Sequence, residues 1–226
     1  MEAYFWLIIV VWAGGLSALW LYRRHEIQRL LITFSGAYLF AVIVFHLLPE
    51  IYGHEETNTS LVGVFILLGL LFQLVLDFFS HGVEHGHSGK THAHTLTAGI
   101  VLGLFLHAFT EGLPVADAHH HAYLYAILVH KFPIALTLTA FLKNAKMPPI
   151  KMWSLLTVFS LMSPLGAWAG EHFPVFAGHH GLVSAFVVGV LTHISTTILF
   201  ESDSDHRFHL YKFLAILVAF GLAYLM

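Results

Sequence analysis

The chain has 226 residues, ten Lys and Arg against thirteen Asp and Glu, a formal net charge of −3 and no cysteine. Only 10% of its residues are charged and 58% are hydrophobic, with a mean hydropathy of +0.77. Soluble domains carry about 25% charged residues, so composition alone excludes a soluble enzyme or a nucleic-acid-binding domain and indicates a membrane protein. At roughly 20 residues per span, the length admits about eight helices and no separate soluble domain. Without cysteine, any metal site must use imidazole and oxygen ligands, a set that suits zinc and several other first-row divalent ions. Histidine is the compositional outlier, with 19 copies.

Eight apolar segments are predicted in chain order: Tyr4–Tyr22, Leu30–Leu48, Ser60–Phe79, Leu96–Asp117, Ala122–Leu142, Ile150–Gly170, Gly181–Phe200 and Leu210–Met226. The last is short for a span. No Lys or Arg precedes the first, which argues against a cleaved signal peptide. The connections set the topology. Arg23, Arg24 and Arg29, then Lys90, then Lys143, Lys146 and Lys151, then Arg207 and Lys212, all fall at alternate connections. The other connections carry no Lys or Arg. The positive-inside rule places the basic side in the cytoplasm and both termini outside, in the plasma or inner membrane of a cell. The tenth basic residue, Lys131, lies within the fifth span.

The opposite face is acidic and rich in imidazole: His54, Glu55, Glu56, Asp117, His119, His120, His121, Glu171, His172, His179 and His180. Such a surface concentrates divalent cations, although each single histidine reads more simply as a solvated loop residue. The segment His81–His94 carries His81, His85, His87, His92 and His94 among Gly and Ser. It is expected in the cytoplasm, as a weak metal-binding tract not essential to the core activity. A plain polar linker is the alternative.

The second span (Ser35-Gly36-Ala37-Tyr38, ending His46-Leu47-Leu48-Pro49-Glu50) resembles the seventh (Ser184–Gly189, then His193, ending Glu201). Five places apart in order, the two run in opposite directions, the pattern of an inverted repeat.

The informative chemistry lies in the fourth and fifth spans. His107 and Glu111 are four residues apart and share one helix face. A carboxylate there costs roughly 2.5–3.5 kcal/mol on insertion scales, so it reads as functional by default. Consecutive spans are antiparallel neighbours, which brings His130 to the depth of His107. Two imidazoles and a carboxylate are three ligands of the zinc-binding kind, with a position left open. Gly112-Leu113-Pro114 and Pro133 interrupt these same helices. In lipid, a proline that frees a carbonyl is tolerated only against protein or a water-lined cavity. Lys131 follows His130 and points about 100° away round the helix. Its expected partner is the second face of the Glu111 carboxylate. The plainer alternatives are a polar pair that glues two helices, and a lysine that snorkels to the interface.

His107–Gly112 resembles the His-Asn-x-x-Asp/Glu-Gly signature of the ZIP (ZRT/IRT-like) metal-transporter family, and His130-Lys131-Phe132-Pro133 resembles its His-Glu/Lys-x-Pro signature. His46–Glu50 and Ser163-Pro164-Leu165-Gly166 are similar to the family's second and sixth helices. The resemblance implies an all-α integral membrane bundle of eight transmembrane helices in a 3+2+3 inverted-repeat arrangement, forming a single domain over residues 1–226. It implies transport of a divalent cation into the cytoplasm by alternating access. Zinc is the first candidate, with iron, manganese and cadmium behind it. The partners implied are that cation, the bilayer and a second copy in a homodimer; no cofactor is expected.

The departures are specific. Ala108 stands where Asn is usual, Lys131 and Ile134 replace acids, and Ser163 stands at the sixth-helix acid of two-metal relatives. The expectation is therefore one metal on His107, Glu111 and His130. A water, a backbone carbonyl or His193 is the candidate fourth ligand, with a polar helix–helix contact as the alternative for His193. His46 and Glu50 mark the expected inlet, and Glu201 with the His81–His94 tract the outlet. The rival classes are an integral-membrane metalloenzyme with histidine-ligated zinc or iron, and a bis-histidine haem protein that uses His107 and His130.

Overall fold

The structure is a computed structural model that describes residues 2–53, 58–80, 98–116, 121–200 and 206–226. The elements are α1 (Glu2–Leu21), α2 (His25–Val42), a π-helical turn (Ile43–Leu47), α3 (Leu48–Gly53), α4 (Thr59–Ser80), α5 (Ala98–Gly112), a 3-10 turn (Leu113–Ala116), α6 (His121–Asn144), α7 (Pro149–His172), α8 (Pro174–Ala177), α9 (His180–Phe200) and α10 (His206–Tyr224). No strand occurs among the described residues. Among these residues the fold is all-α, as the resemblance implied.

Among the described residues, six helical runs are long and apolar enough to cross a membrane: Glu2–Leu21, His25–Gly53, Thr59–Phe78, Ala122–Asn144, Pro149–His172 and His180–Phe200. The fourth and eighth predicted spans correspond to shorter apolar helices, Gly99–Val115 and Leu210–Tyr224. The bundle is inverted relative to a soluble one. Leu67, Leu71 and Phe78 of α4 and Leu214, Leu217 and Val218 of α10 face outward, while Gln73, His107, Glu111, His130, Lys131, Ser160 and Ser163 are buried. Helices satisfy their own backbone hydrogen bonds, which is what the hydrocarbon layer demands. The chain is a multi-pass membrane protein.

Two boundaries differ from expectation, each for a stated reason. The second span does not stop at Leu48 but runs on to Gly53. The π turn before Pro49 bonds Leu48 N–H to the Ile43 carbonyl, and this wider turn takes in the irregularity that a proline brings. The α-helix of the fourth span ends at Gly112, and the chain tightens into a 3-10 turn around Pro114. Proline lacks the N–H that α-helical bonding needs.

Helix α4 runs along α9, α1 along α6, α2 along α10 and α5 along α7. Helix α2 also touches α6 and α9, and α1 touches α7. Small residues permit the closest approaches, as usual in membranes. Gly69 faces the Phe186 carbonyl across α4–α9, and Gly189 faces the Ile66 carbonyl in return. On α5–α7, Gly112 lies against the Ser163 backbone and Gly166 against the Phe109 carbonyl. A methyl at Gly166 would meet backbone that cannot swing aside. Gly166→Ala is expected to cost about 1–3 kcal/mol by overpacking. It should also push α5 from α7 and displace His107 and Glu111; thermal unfolding checks the loss of stability.

Of the three apolar clusters among the described residues, two meet at α5 and α6. One includes Leu39, Val42, Tyr123, Ala126, Ile127 and Val188; the other includes Val11, Leu104, Ala108, Ile134, Leu138 and Leu156. Helix α6 passes from the first cluster to the second between Ile127 and Ile134. His130 and Lys131 fall in that gap. Helix α5 contributes Ile100, Leu104 and Ala108 to the second cluster, and Val115 beyond it packs on the first. Glu111 lies at the crossing, so the polar group occupies the waist between the two cores.

Candidate metal centre

His107 and Glu111 lie one turn apart on α5, and their side chains meet: His107 Nε2 is 3.0 Å from Glu111 Oε1. His130, from α6, brings its Nε2 to 3.7 Å from the same oxygen. The imidazole rings are nearly perpendicular, at 84°, with centroids 6.2 Å apart. One ligand atom from each residue lies within 4.8 Å of the others. Ligand atoms on one tetrahedral zinc stand roughly 3.3 Å apart, given bond lengths of about 2.0–2.1 Å. The observed separations of 3.0 and 3.7 Å bracket that value. All three side chains are buried, at 0–1% exposure.

The other carboxylate oxygen is committed elsewhere. Lys131 Nζ donates to Glu111 Oε2 at 2.7 Å. The lysine is 1% exposed, and its ammonium stands 5.7 Å from the centroid of the Phe159 ring. Glu111 thus divides its oxygens: Oε1 faces two imidazoles, and Oε2 a fixed cation. An unpartnered charge at this depth would be severely unfavourable; the lysine offsets the carboxylate without occupying the face the histidines share.

Local irregularities hold the group in place. Helix α5 gives way to the 3-10 turn directly after Gly112, and the Tyr123 hydroxyl of α6 donates to the Glu111 carbonyl there, at 2.6 Å. From α7, Ser163 Oγ donates to the Ala108 carbonyl at 2.6 Å. Neither Tyr123 nor Phe159 was singled out by sequence reading. Their signal is spacing: Tyr123 precedes His130 by two turns on one stripe of α6.

The remaining expected residues are placed as follows. His193 stands outside the three-residue group: its Nε2 lies 2.7 Å from Asp77 Oδ2, across α4–α9. Gln73 Nε2 donates to Asp77 Oδ1 at 3.1 Å. Asp77, an acid inside the third span, also went unremarked in the sequence. His46 Nε2 lies 2.9 Å from the Ala223 carbonyl of α10. Glu50 lines a small crevice with Leu47, Ile51, Pro114, Tyr123, Ser184 and Val188. Glu201 and His81, His85, His87, His92 and His94 lie outside the described residues. Of the other-face residues, Glu171 accepts from the Tyr4 hydroxyl at 3.0 Å, and His172 Nδ1 lies 2.9 Å from the Trp168 carbonyl. Glu111 Oε1 lies 3.0 and 3.7 Å from the two imidazoles that the bis-histidine haem alternative would use as axial ligands.

A polytopic helical bundle with a buried His–Glu–His group on two neighbouring helices, α5 ending just before Pro114 and α6 running on through Pro133, defines a membrane protein with the donors for a divalent metal at its waist. A family model described as ZIP zinc transporter matches residues 92–226, more than half of the chain and inclusive of all three donors; the chain belongs to the ZIP family. Zinc transporter ZIP9-B of Xenopus laevis is 29% identical over 124 residues, 50% of this chain and 41% of that protein. Zinc transporter ZIP9 of Micropogonias undulatus is 28% identical over 125 residues, 50% of this chain and 39% of that protein. The matched stretch thus spans about two-fifths of these curated relatives.

Proposed function

We propose that this chain carries divalent metal cations, zinc foremost, into the cytoplasm through the His107–Glu111–His130 group by alternating access. The observation that carries the reading is the group itself: three fully buried ligand side chains, their ligand atoms all within 4.8 Å of one another, beside the point near Pro114 where α5 gives way to a 3-10 turn. A structural site gains nothing from interrupted helices, whereas a transport site does. Family membership and the names of the relatives support zinc as cargo. Iron, manganese and cadmium are the competing cargoes.

The same proposal includes eight transmembrane helices in one domain, with both termini outside. The pairing of helices supports a 3+2+3 inverted repeat. Exchanging the first three spans with the last three turns the α4–α9 pair into α10–α2, and the α1–α6 pair into α7–α5. All four pairs occur. One metal per chain follows from the donors present: Ala108 and Ile134 offer no ligand, Ser163 donates to a carbonyl, and Lys131 holds Oε2. A water or a main-chain carbonyl completes the coordination, because His193 is paired with Asp77. A homodimer is the assembly proposed.

The test is radiometal uptake into proteoliposomes, with competition among zinc, iron, manganese and cadmium. His107→Ala and His130→Ala are each expected to lower zinc uptake at least tenfold while the protein stays monodisperse. Uptake at the unmodified rate in either variant would overturn the site.

A further inference from the structure

We propose that Tyr123 is the gate between the Glu50 crevice and the metal centre, and that its hydrogen bond to the Glu111 carbonyl must break for each cation admitted. The inference rests on reading His107–Glu111–His130 as the transport site. Three observations carry it. Tyr123 lies on both sides of the boundary: its side chain lines the crevice with Glu50, Pro114 and Ser184, while its hydroxyl is 2.6 Å from the main chain of a metal-ligating residue. The tyrosine is 2% exposed and Glu111 0%, so the metal centre is shut off from solvent with the phenol in place. The crevice measures about 10 Å³, the limit for a single water; a hydrated cation cannot wait there unless the walls move.

The chemistry suits a gate better than a permanent tie. Glu111 lies one residue before the end of α5, where the helix gives way to the 3-10 turn around Pro114. The phenol donates to its carbonyl there. When it swings away, the exposed carbonyl oxygen turns from acceptor of an O–H into a neutral donor for a divalent cation that is shedding water. Glu50 stands on the outer side of the phenol under the proposed topology. The path is then Glu50 carboxylate, Glu111 carbonyl and the three ligands, with a replacement oxygen ready at the step where hydration is lost. The hydrogen bond and the packing of the ring in its apolar cluster together hold the gate; Tyr123→Phe removes the first and keeps the second.

The absence of cysteine makes the test clean. Ser184→Cys places a thiol in the crevice, in front of Tyr123. Ala126→Cys places one behind it, between Tyr123 and His130 on the same stripe of α6; Ala126 is 0% exposed. Intact cells expressing each variant are treated with a membrane-impermeant cationic thiosulfonate. The crevice thiol is expected to react at least tenfold faster than the one behind the gate. In the Ala126→Cys background, Tyr123→Phe is expected to raise the labelling rate about fivefold, the factor one hydrogen bond is worth. A purely structural tie would leave the relative rates of the two thiols unchanged in the Phe variant. Equal rates at the two positions with Tyr123 present would overturn the gate, even if Tyr123→Phe does not fold. Unchanged labelling in a folded Tyr123→Phe protein would do the same. Loss of uptake in His130→Ala alongside either result would leave the metal site standing and remove only the gate.

Discussion

Glu111→Ala is expected to abolish metal uptake and, in the same step, to destabilise the protein by about 3–5 kcal/mol, because it strands a buried ammonium. The reason lies in how the carboxylate is shared. One oxygen serves His107 and His130 and the other serves Lys131, which is 1% exposed. Loss of activity in this single variant therefore does not separate ligand from scaffold. The double variant Glu111→Ala with Lys131→Met does. Replacing a buried ion pair by apolar groups of similar volume is often neutral or stabilising. The double variant should unfold within about 2 kcal/mol of the unmodified protein, by that comparison, while uptake stays abolished. Recovery of uptake along with stability would show that Glu111 is no ligand and that its role is to neutralise Lys131. Thermal unfolding in detergent and proteoliposome uptake on the same preparations decide between these outcomes.

Much of the centre was legible in the sequence because helical periodicity converts spacing directly into proximity. His107 and Glu111 at four residues had to share a face, and antiparallel neighbours had to bring His130 to their level; the structure places all three together. The direction of Lys131, about 100° from His130, suffices to aim it at the far oxygen of Glu111, and the contact is there at 2.7 Å. What periodicity does not encode is rotation of one helix against a distant one. His193 was legible as a polar residue inside an apolar helix, but its partner Asp77 sits on α4, more than a hundred residues away, and only the α4–α9 packing around Gly69 and Gly189 selects it. His46 shows the same limit: its contact is the Ala223 carbonyl of α10. Tyr123 was hidden for a different reason. Its contact is the Glu111 carbonyl, at the end of α5 where the helix gives way to the 3-10 turn around Pro114. The proline is visible in the sequence; the tightening is not.

Lys131→Met is expected to tighten zinc binding at the centre by about 10–100-fold and to slow uptake. A hydrogen bond to a charged group is worth about 1.5–3 kcal/mol net, and every 1.4 kcal/mol is about tenfold in affinity. In the unmodified protein, that bond draws the charge of Glu111 toward Oε2, away from the oxygen the histidines face. Removing the ammonium returns the full charge to the metal. The metal-free variant then holds an uncompensated buried carboxylate, so zinc should raise its unfolding temperature far more than that of the unmodified protein, as binding linked to folding requires. Stoichiometry should stay at one metal per chain, since Ala108, Ile134 and Ser163 supply no further charged donor. Calorimetric titration gives both affinity and stoichiometry. A cation that leaves more slowly lowers turnover, so maximal uptake should fall while the zinc concentration at half-saturation falls with it. If affinity is unchanged, Lys131 is a spectator. If a second core metal binds once the lysine is gone, the ammonium has been standing in a metal's place, and the remaining side chains suffice to hold that metal.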